Sequence, residues 1–154
     1  MGAGKTTVGR LLARHLGVPF VDLDAEVETL HGQTVASIFA AEGEKSFREM
    51  ERAVLMRLLD GPPIVLALGG GTLHEDGNAQ AVMERSHLVV LWVDFEIIKS
   101  RLGAEDSSRP RWRDAEELFE SRRSGYRSLG RLVDIGDMSA DQVVSHVIGV
   151  LGCD

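Results

Sequence analysis

The chain has 154 residues, 44% hydrophobic and 27% charged, with a formal net charge of −7. That length suits one domain with its own core, and the acidic balance argues against a general nucleic-acid or membrane-surface role. A lone cysteine, Cys153, excludes an intramolecular disulfide or a cysteine-based metal site, and the longest apolar run, Leu88 to Val93, is too short for a bilayer span.

No signal peptide is read at the start, where glycines give way to a helical pattern, so a reducing, cytoplasmic setting is expected. Charge is unevenly spread: nine of the 17 basic residues lie between Lys99 and Arg131, against six acids. Such a segment is either a solvated helix face or a site for an anionic ligand.

The chain opens on Gly2-Ala3-Gly4-Lys5-Thr6-Thr7. This is the second half of the phosphate-loop pattern G-x-x-x-x-G-K-[ST], in which successive N–H groups cradle phosphate oxygens. Lys5 can then reach the β- and γ-phosphates, and the Thr6 hydroxyl can bind Mg²⁺. The first glycine of the pattern and its feeding strand are not in the sequence. A start codon assigned inside the loop, at Met1, is a simpler account of this than a natural truncation. Lys5 to Leu16 reads as a helix, its stripe formed by Val8, Leu11, Leu12 and Leu16. Gly17-Val18-Pro19 stops it.

Phe20 to Asp24 reads as a short strand ending in carboxylates. Asp22 and Asp24 are either a metal- and substrate-facing pair or a solvated strand end before an acidic first helical turn. Ala25 to Leu30 starts a helix. Thr34 suits the N-cap of the next, which runs through Ala41 to an interruption at Gly43. Lys45 to Leu59 is a long amphipathic helix carrying Arg48. That arginine could grip a carboxylate with two parallel hydrogen bonds, although its spacing better suits an i,i+3 surface pair with Glu51.

Gly61-Pro62-Pro63 is a turn, and Ile64 to Leu68 reads as a strand buried on both faces. Gly69-Gly70-Gly71 then either presses backbone N–H groups against a ligand or forms a flexible loop. Leu88 to Val93 is a second buried strand and Phe95 to Leu102 a helix. The Arg-rich loop 103–114 holds Arg109, Pro110, Arg111, Trp112 and Arg113. It is a solvated charge run or a lid that carries positive charge onto bound phosphates. Glu116 to Leu129 is a helix and Leu132 to Ile135 a strand. Ser139-Ala140-Asp141-Gln142 is a capping box for a last helix with the stripe Val143, Val144, Val147, Ile148 and Leu151. The five histidines show no metal-ligand spacing. Strands alternating with helices predict a doubly wound parallel α/β sheet in three layers, with ligands beyond the carboxyl ends of the strands.

Taken in order, Gly2 to Thr7, Asp22-Leu23-Asp24, Phe39 to Glu51, Gly69-Gly70-Gly71, Arg109-Pro110 and Tyr126-Arg127 resemble the shikimate kinases. The resemblance runs almost the whole chain and implies a single phosphate-loop kinase domain over residues 1–154, with a lid at 103–114. It implies ATP-dependent phosphorylation of the 3-hydroxyl of shikimate, with ATP and Mg²⁺ as cofactors, no nucleic-acid or membrane partner, and a monomer.

Carried over by position, Gly2, Ala3, Gly4, Lys5, Thr6 and Thr7 cradle ATP, with Arg101, Arg109 and Met138 as further nucleotide contacts. Thr6 and Asp22 hold the metal, Asp22 through water. Lys5, Asp24 and Arg109 are the catalytic residues, Asp24 as candidate base. Arg48 and Arg127 clamp the substrate carboxylate, Asp24 binds a ring hydroxyl, and Gly70 offers its backbone.

Three departures stand out. The family's opening strand, central in its sheet, is missing from the chain. Arg111-Trp112 replaces the leucines usual after Arg-Pro. The interval from Arg101 to Arg109 is one residue longer than usual. They leave two other readings: a kinase of another small polyol acid such as gluconate, or a truncated, inactive binding module.

Overall fold

The structure is a computed structural model that describes residues 4–94, 97, 125 and 129–152. Its residues form two compact units, one spanning Gly9–Ser86 and one made of Met1–Val8 and His87–Asp154. Helix α1 (Lys5–Leu16) runs from the second unit into the first, with the bounds read from the sequence. Val8 and Ala13 are its buried apolar positions, whereas Leu16, the end of the expected stripe, is 36% exposed.

In the 9–86 unit, α1 leads to strand β1 (Phe20–Asp22), which pairs in parallel with β2 (Val65–Ala67). The register sets Phe20 opposite Val65, Val21 opposite Leu66 and Asp22 opposite Ala67. The Phe20 ring lies so close to α1 that a Cβ at Gly9 would come 2.5 Å from its Cε2 atom. Arg10 stacks its guanidinium 5.4 Å from the same ring centre.

The expected strand 20–24 is two residues too long. Helix α2 (Leu23–His31) starts directly after Asp22, whose carboxylate caps it by accepting a hydrogen bond from the Ala25 N–H at 3.4 Å. Asp24 therefore stands in the first helical turn, not on the strand, where an acid favourably meets the positive helix end.

Thr34 caps α3 (Val35–Leu59) as expected, accepting from the Ser37 N–H at 3.1 Å. Gly43 breaks this helix with φ 83° and ψ 173°, a conformation that side-chain-bearing residues rarely adopt. Leu23 and Val27 of α2 and Ile38, Phe47, Val54 and Leu55 of α3 are buried, and the two helices pack against each other.

Beyond β2 the chain makes a 3₁₀ turn (Thr72–His74) and helix α4 (Asn78–Arg85), neither of which the sequence reading contained. Helix α4 packs on the 3₁₀ turn and on α3.

In the other unit, β3 (Val89–Trp92) pairs in parallel with β4 (Arg131–Asp134), from Val89 opposite Arg131 to Trp92 opposite Asp134. Helix α5 (Ala140–Leu151) follows, and its predicted capping box is present in full. Ser139 accepts from the Gln142 N–H at 3.3 Å, while the Gln142 side chain accepts from the Ser139 N–H at 2.9 Å. Val143, Val144, Val147 and Ile148 are buried, as are Val93, Val133 and Ile135.

The fold class is thus α/β with parallel strands. Strands β2 and β3 are less buried than expected: Val65, Leu66 and Val89 to Leu91 are only half-buried. Among the described residues each of these strands pairs on one side alone, which removes the flanking cover that a central strand enjoys.

Candidate active site

Two groups of residues carry the chemistry. The first is the start of α1. Gly4 has φ 74°, and its carbonyl accepts the first helical hydrogen bond, from Val8 at 2.9 Å. Lys5 is half-buried, Thr6 and Thr7 are exposed, and no acid stands in the first turn. The N–H groups of a helix start, with a lysine and two hydroxyls beside them, suit an anion of the phosphate type. Asp22, read as a metal residue, is a helix cap in the 9–86 unit. Met138 is exposed in the turn between β4 and α5, its N–H donating to the Ile135 carbonyl at 2.8 Å.

The second group surrounds Arg48. The sequence reading favoured a surface pair with Glu51. The pair exists, but it is internal: Glu51 is 0% exposed and accepts from Arg48 Nη1 at 2.7 Å. The other Glu51 oxygen accepts from the Thr72 hydroxyl at 2.5 Å. Arg48 Nη2 reaches Glu44 at 3.3 Å, and Nε lies 3.6 Å from Glu75. Burial alone would lower the pKa of Arg48, but the hydrogen bonds and charges of Glu51 and Glu44 outweigh it and carry the value above that of an ordinary arginine.

The triple glycine lies against this cluster. A Cβ on Gly71 would collide with the Arg48 guanidinium, coming 2.8 Å from Cζ. One on Gly69 would stand 3.0 Å from Asp24 Oδ1, 3.1 Å from Thr72 Oγ1 and 3.3 Å from Glu51 Oε1. Both glycines therefore sit in crowded positions, a packing reason for the run that neither sequence reading gave. Gly70 between them is exposed.

The loop that follows is tied to α3. Asn78, fully buried, donates to the Thr72 carbonyl at 3.0 Å and accepts from Arg52 Nη1 at 2.6 Å. Arg52 Nη1 also donates to the Asp76 carbonyl at 2.9 Å.

The structure thus gathers Asp24, Arg48 and the glycine run, three of the predicted substrate elements. Gly2, Ala3, Arg101, Arg109 and Arg127, together with loop 103–114, lie outside the described residues. Thr72, Asn78, Arg52 and Glu75 were not predicted, and Glu51 was expected only as an exposed partner of Arg48. Glu51 did leave a signal: Phe47, Val54 and Leu55 flank it at helical spacing, so a carboxylate occupies an apolar-stripe position.

A helix opening on Gly-Lys-Thr-Thr suits the phosphates of a nucleotide, and a guanidinium anchored on a buried carboxylate suits a small acid. On a parallel α/β scaffold these are the marks of a phosphate-loop kinase acting on a small molecule. A family model described as shikimate kinase matches residues 1–151, and the chain belongs to that family.

Shikimate kinase of Ruegeria pomeroyi is 39% identical over 98% of this chain and 80% of its own length. That of Caulobacter vibrioides is 41% identical over 98% and 78%. Among solved structures, shikimate kinase from Acinetobacter baumannii, in complex with shikimate, aligns with TM-score 0.88 and 33% identity over 99% of this chain and 89% of that one. The enzyme from Bacteroides thetaiotaomicron gives TM-score 0.88 at 28% identity, covering 99% of this chain and 94% of its own. The fold is that of the phosphate-loop kinases.

The activity is ATP-dependent phosphorylation of shikimate, a step of aromatic amino-acid biosynthesis, and ATP is the phosphoryl donor. These relatives favour shikimate over gluconate and an active enzyme over an inactive binding module. Among the described residues no helix is long and apolar enough to cross a membrane.

Proposed function

We propose that Arg48 receives the substrate carboxylate, with Arg127 as its second clamp, and that phosphoryl transfer is to the 3-hydroxyl. The observation that carries this is the Arg48 guanidinium, held by Glu51 at 2.7 Å and packed against Gly71. A planar fork held by Glu51 at Nη1 and by the more exposed Glu44 at Nη2 is pre-organised for carboxylate recognition, so little side-chain freedom is lost on binding. Asp24 orients the reacting hydroxyl or takes its proton, and Gly70 offers its backbone.

Lys5 neutralises the β- and γ-phosphates, and Gly2 to Thr7 cradle them. Arg101, Arg109 and Met138 complete the nucleotide contacts. Mg²⁺ fits the donors at hand. Among the described residues no group of three or more His, Cys, Asp or Glu could hold a metal. An ion that keeps its waters and binds mainly to phosphates needs only the Thr6 hydroxyl, with Asp22 acting through water. Once bound it neutralises charge that develops during transfer. Phosphoryl transfer needs positioning and charge neutralisation more than covalent help, and these residues supply both. We read the enzyme as a cytoplasmic monomer, in one domain over residues 1–154.

The test is ADP release with shikimate varied at saturating Mg-ATP, then ATP varied at saturating shikimate. Arg48→Ala is expected to raise the shikimate KM by at least about tenfold, the loss of one charged hydrogen-bonded contact, and to leave the ATP KM within about twofold. An unchanged shikimate KM would remove Arg48 from the substrate site.

A further inference from the structure

Arg48 is surrounded by more negative charge than it can neutralise. Glu51, Glu44 and Glu75 all lie within 4.0 Å of its guanidinium nitrogens. The three contacts differ in kind. Glu51 is fully buried, takes the short bond to Nη1, and is held in turn by Thr72. It cannot withdraw without breaking both bonds.

Nε and Nη2 share the other edge of the guanidinium, the edge that accepts a carboxylate side-on. There Glu44 stands 3.3 Å from Nη2 and Glu75 stands 3.6 Å from Nε, with 49% and 43% of their side chains exposed. At 3.6 Å Glu75 makes no hydrogen bond, and Nε is a buried side-chain donor without a hydrogen-bond partner. A buried donor in that state costs free energy that an arriving acceptor recovers.

Glu75 is thus close enough to oppose an incoming anion, yet too far to satisfy the donor that the anion would use. Its position is set by the ties described above: Thr72, Asn78 and Arg52 hold the loop, and the Glu75 carbonyl accepts from the Asn78 N–H at 3.1 Å.

We propose that Glu75 is a specificity-determining residue of the acid site, a competing carboxylate that the substrate carboxylate must displace from the Nε/Nη2 edge of Arg48. The proposal rests on Arg48 as the substrate clamp. Displacement subtracts from affinity, and it does so only for ligands that bring a carboxylate to that edge. A ligand with a single weak acceptor does not repay the loss of the Glu75 charge, whereas a bidentate carboxylate does.

The experiment is calorimetric titration of shikimate into the wild-type chain, Glu75→Gln and Glu49→Gln, with KM values for shikimate and ATP measured in parallel. Glu49 is the charge control: it sits beside Arg48 in sequence but is 70% exposed and faces Lys45. Glu75→Gln is expected to tighten shikimate binding and lower its KM by about two- to fivefold, roughly 0.4–1 kcal/mol, with the ATP KM unchanged. Glu49→Gln is expected to change neither.

A tightened substrate is a result that structural damage does not produce. Unchanged or weakened binding in Glu75→Gln, or equal tightening in Glu49→Gln, overturns the role of Glu75 while leaving Arg48 as clamp. Failure of the wild-type chain to bind shikimate overturns both.

Discussion

Replacing Glu51 by glutamine tests whether the buried carboxylate anchors Arg48 by its charge or merely by its shape. The glutamine side chain is nearly isosteric with the glutamate it replaces. Its amide oxygen can turn to Arg48 Nη1 and its NH₂ to the Thr72 hydroxyl, which can accept as well as donate. Both wild-type bonds, 2.7 Å to Arg48 and 2.5 Å from Thr72, therefore have a replacement, and what is lost is one negative charge beside a largely buried cation.

A hydrogen bond to a charged group contributes about 1.5–3 kcal/mol, and breaking a fully buried ion pair costs about 3–5 kcal/mol. Arg48 keeps Glu44 and Glu75 nearby, so the lower range applies, and we expect a loss of about 2 kcal/mol. For a chain of this size that is roughly 4–8 °C in Tm. Glu51→Ala loses both bonds and leaves a cavity, for about 3–5 kcal/mol.

Urea denaturation followed by far-UV circular dichroism gives both values. A glutamine variant within about 0.5 kcal/mol of wild type would refute charge anchoring, a difference no larger than that of ordinary surface changes. One as unstable as the alanine variant would refute the rerouted bond to Thr72.

Gly71→Ala is expected to weaken shikimate binding and to destabilise the fold by about 1–3 kcal/mol, because the new methyl must displace the Arg48 guanidinium. Steady-state KM and a thermal melt read the two effects. Ser139→Ala removes the hydroxyl of the α5 capping box and should cost about 1 kcal/mol in urea denaturation, with KM values unchanged. The raised pKa of Arg48 implies a stabilisation fully present below the ordinary arginine range and lost only as pH rises through the still higher folded value. The stability difference between wild type and Arg48→Gln, from urea midpoints, should therefore be flat from about pH 6 to about pH 9.

What the sequence revealed depended on whether a signal was local. Helix α1, the Thr34 cap and the Ser139 box are set by residues within a few positions of each other, and all three stand where the pattern put them. Helix α4 had no comparable signal. It starts at Gly77 without a side-chain cap, and its buried apolar positions are only Ala81 and Val82. The end of β1 was misjudged because Asp22-Leu23-Asp24 alternates like a strand, while the Asp22 cap turns the chain into a helix one residue later.

The candidate site divided in the same way. Lys5 stands out by residue type and spacing, whereas Asp24, Arg48 and the glycine run leave open alternatives on spacing and become site residues only through the ordered resemblance. The partners of Arg48 come together only through the fold, which brings Thr72 and Glu75 onto α3 from more than 20 residues away. Glu51 closes the Phe39–Glu51 segment, but an acid on an amphipathic helix is usually solvated, and only packing shows this one buried.

The contact of Phe20 with Gly9 acts as a mechanical index for α1. A helix packed on smooth aliphatic neighbours can be re-seated by a turn at modest cost, because one leucine replaces another. Here a flat ring rests in a notch that a single missing side chain provides, and Arg10 closes over the ring from the next position. Shifting α1 by one residue would rotate it by about 100° and drive the Val8 or Arg10 side chain into the ring. Lys5 lies one turn before the notch, on nearly the same face, so its azimuth is keyed to a residue that has no side chain at all.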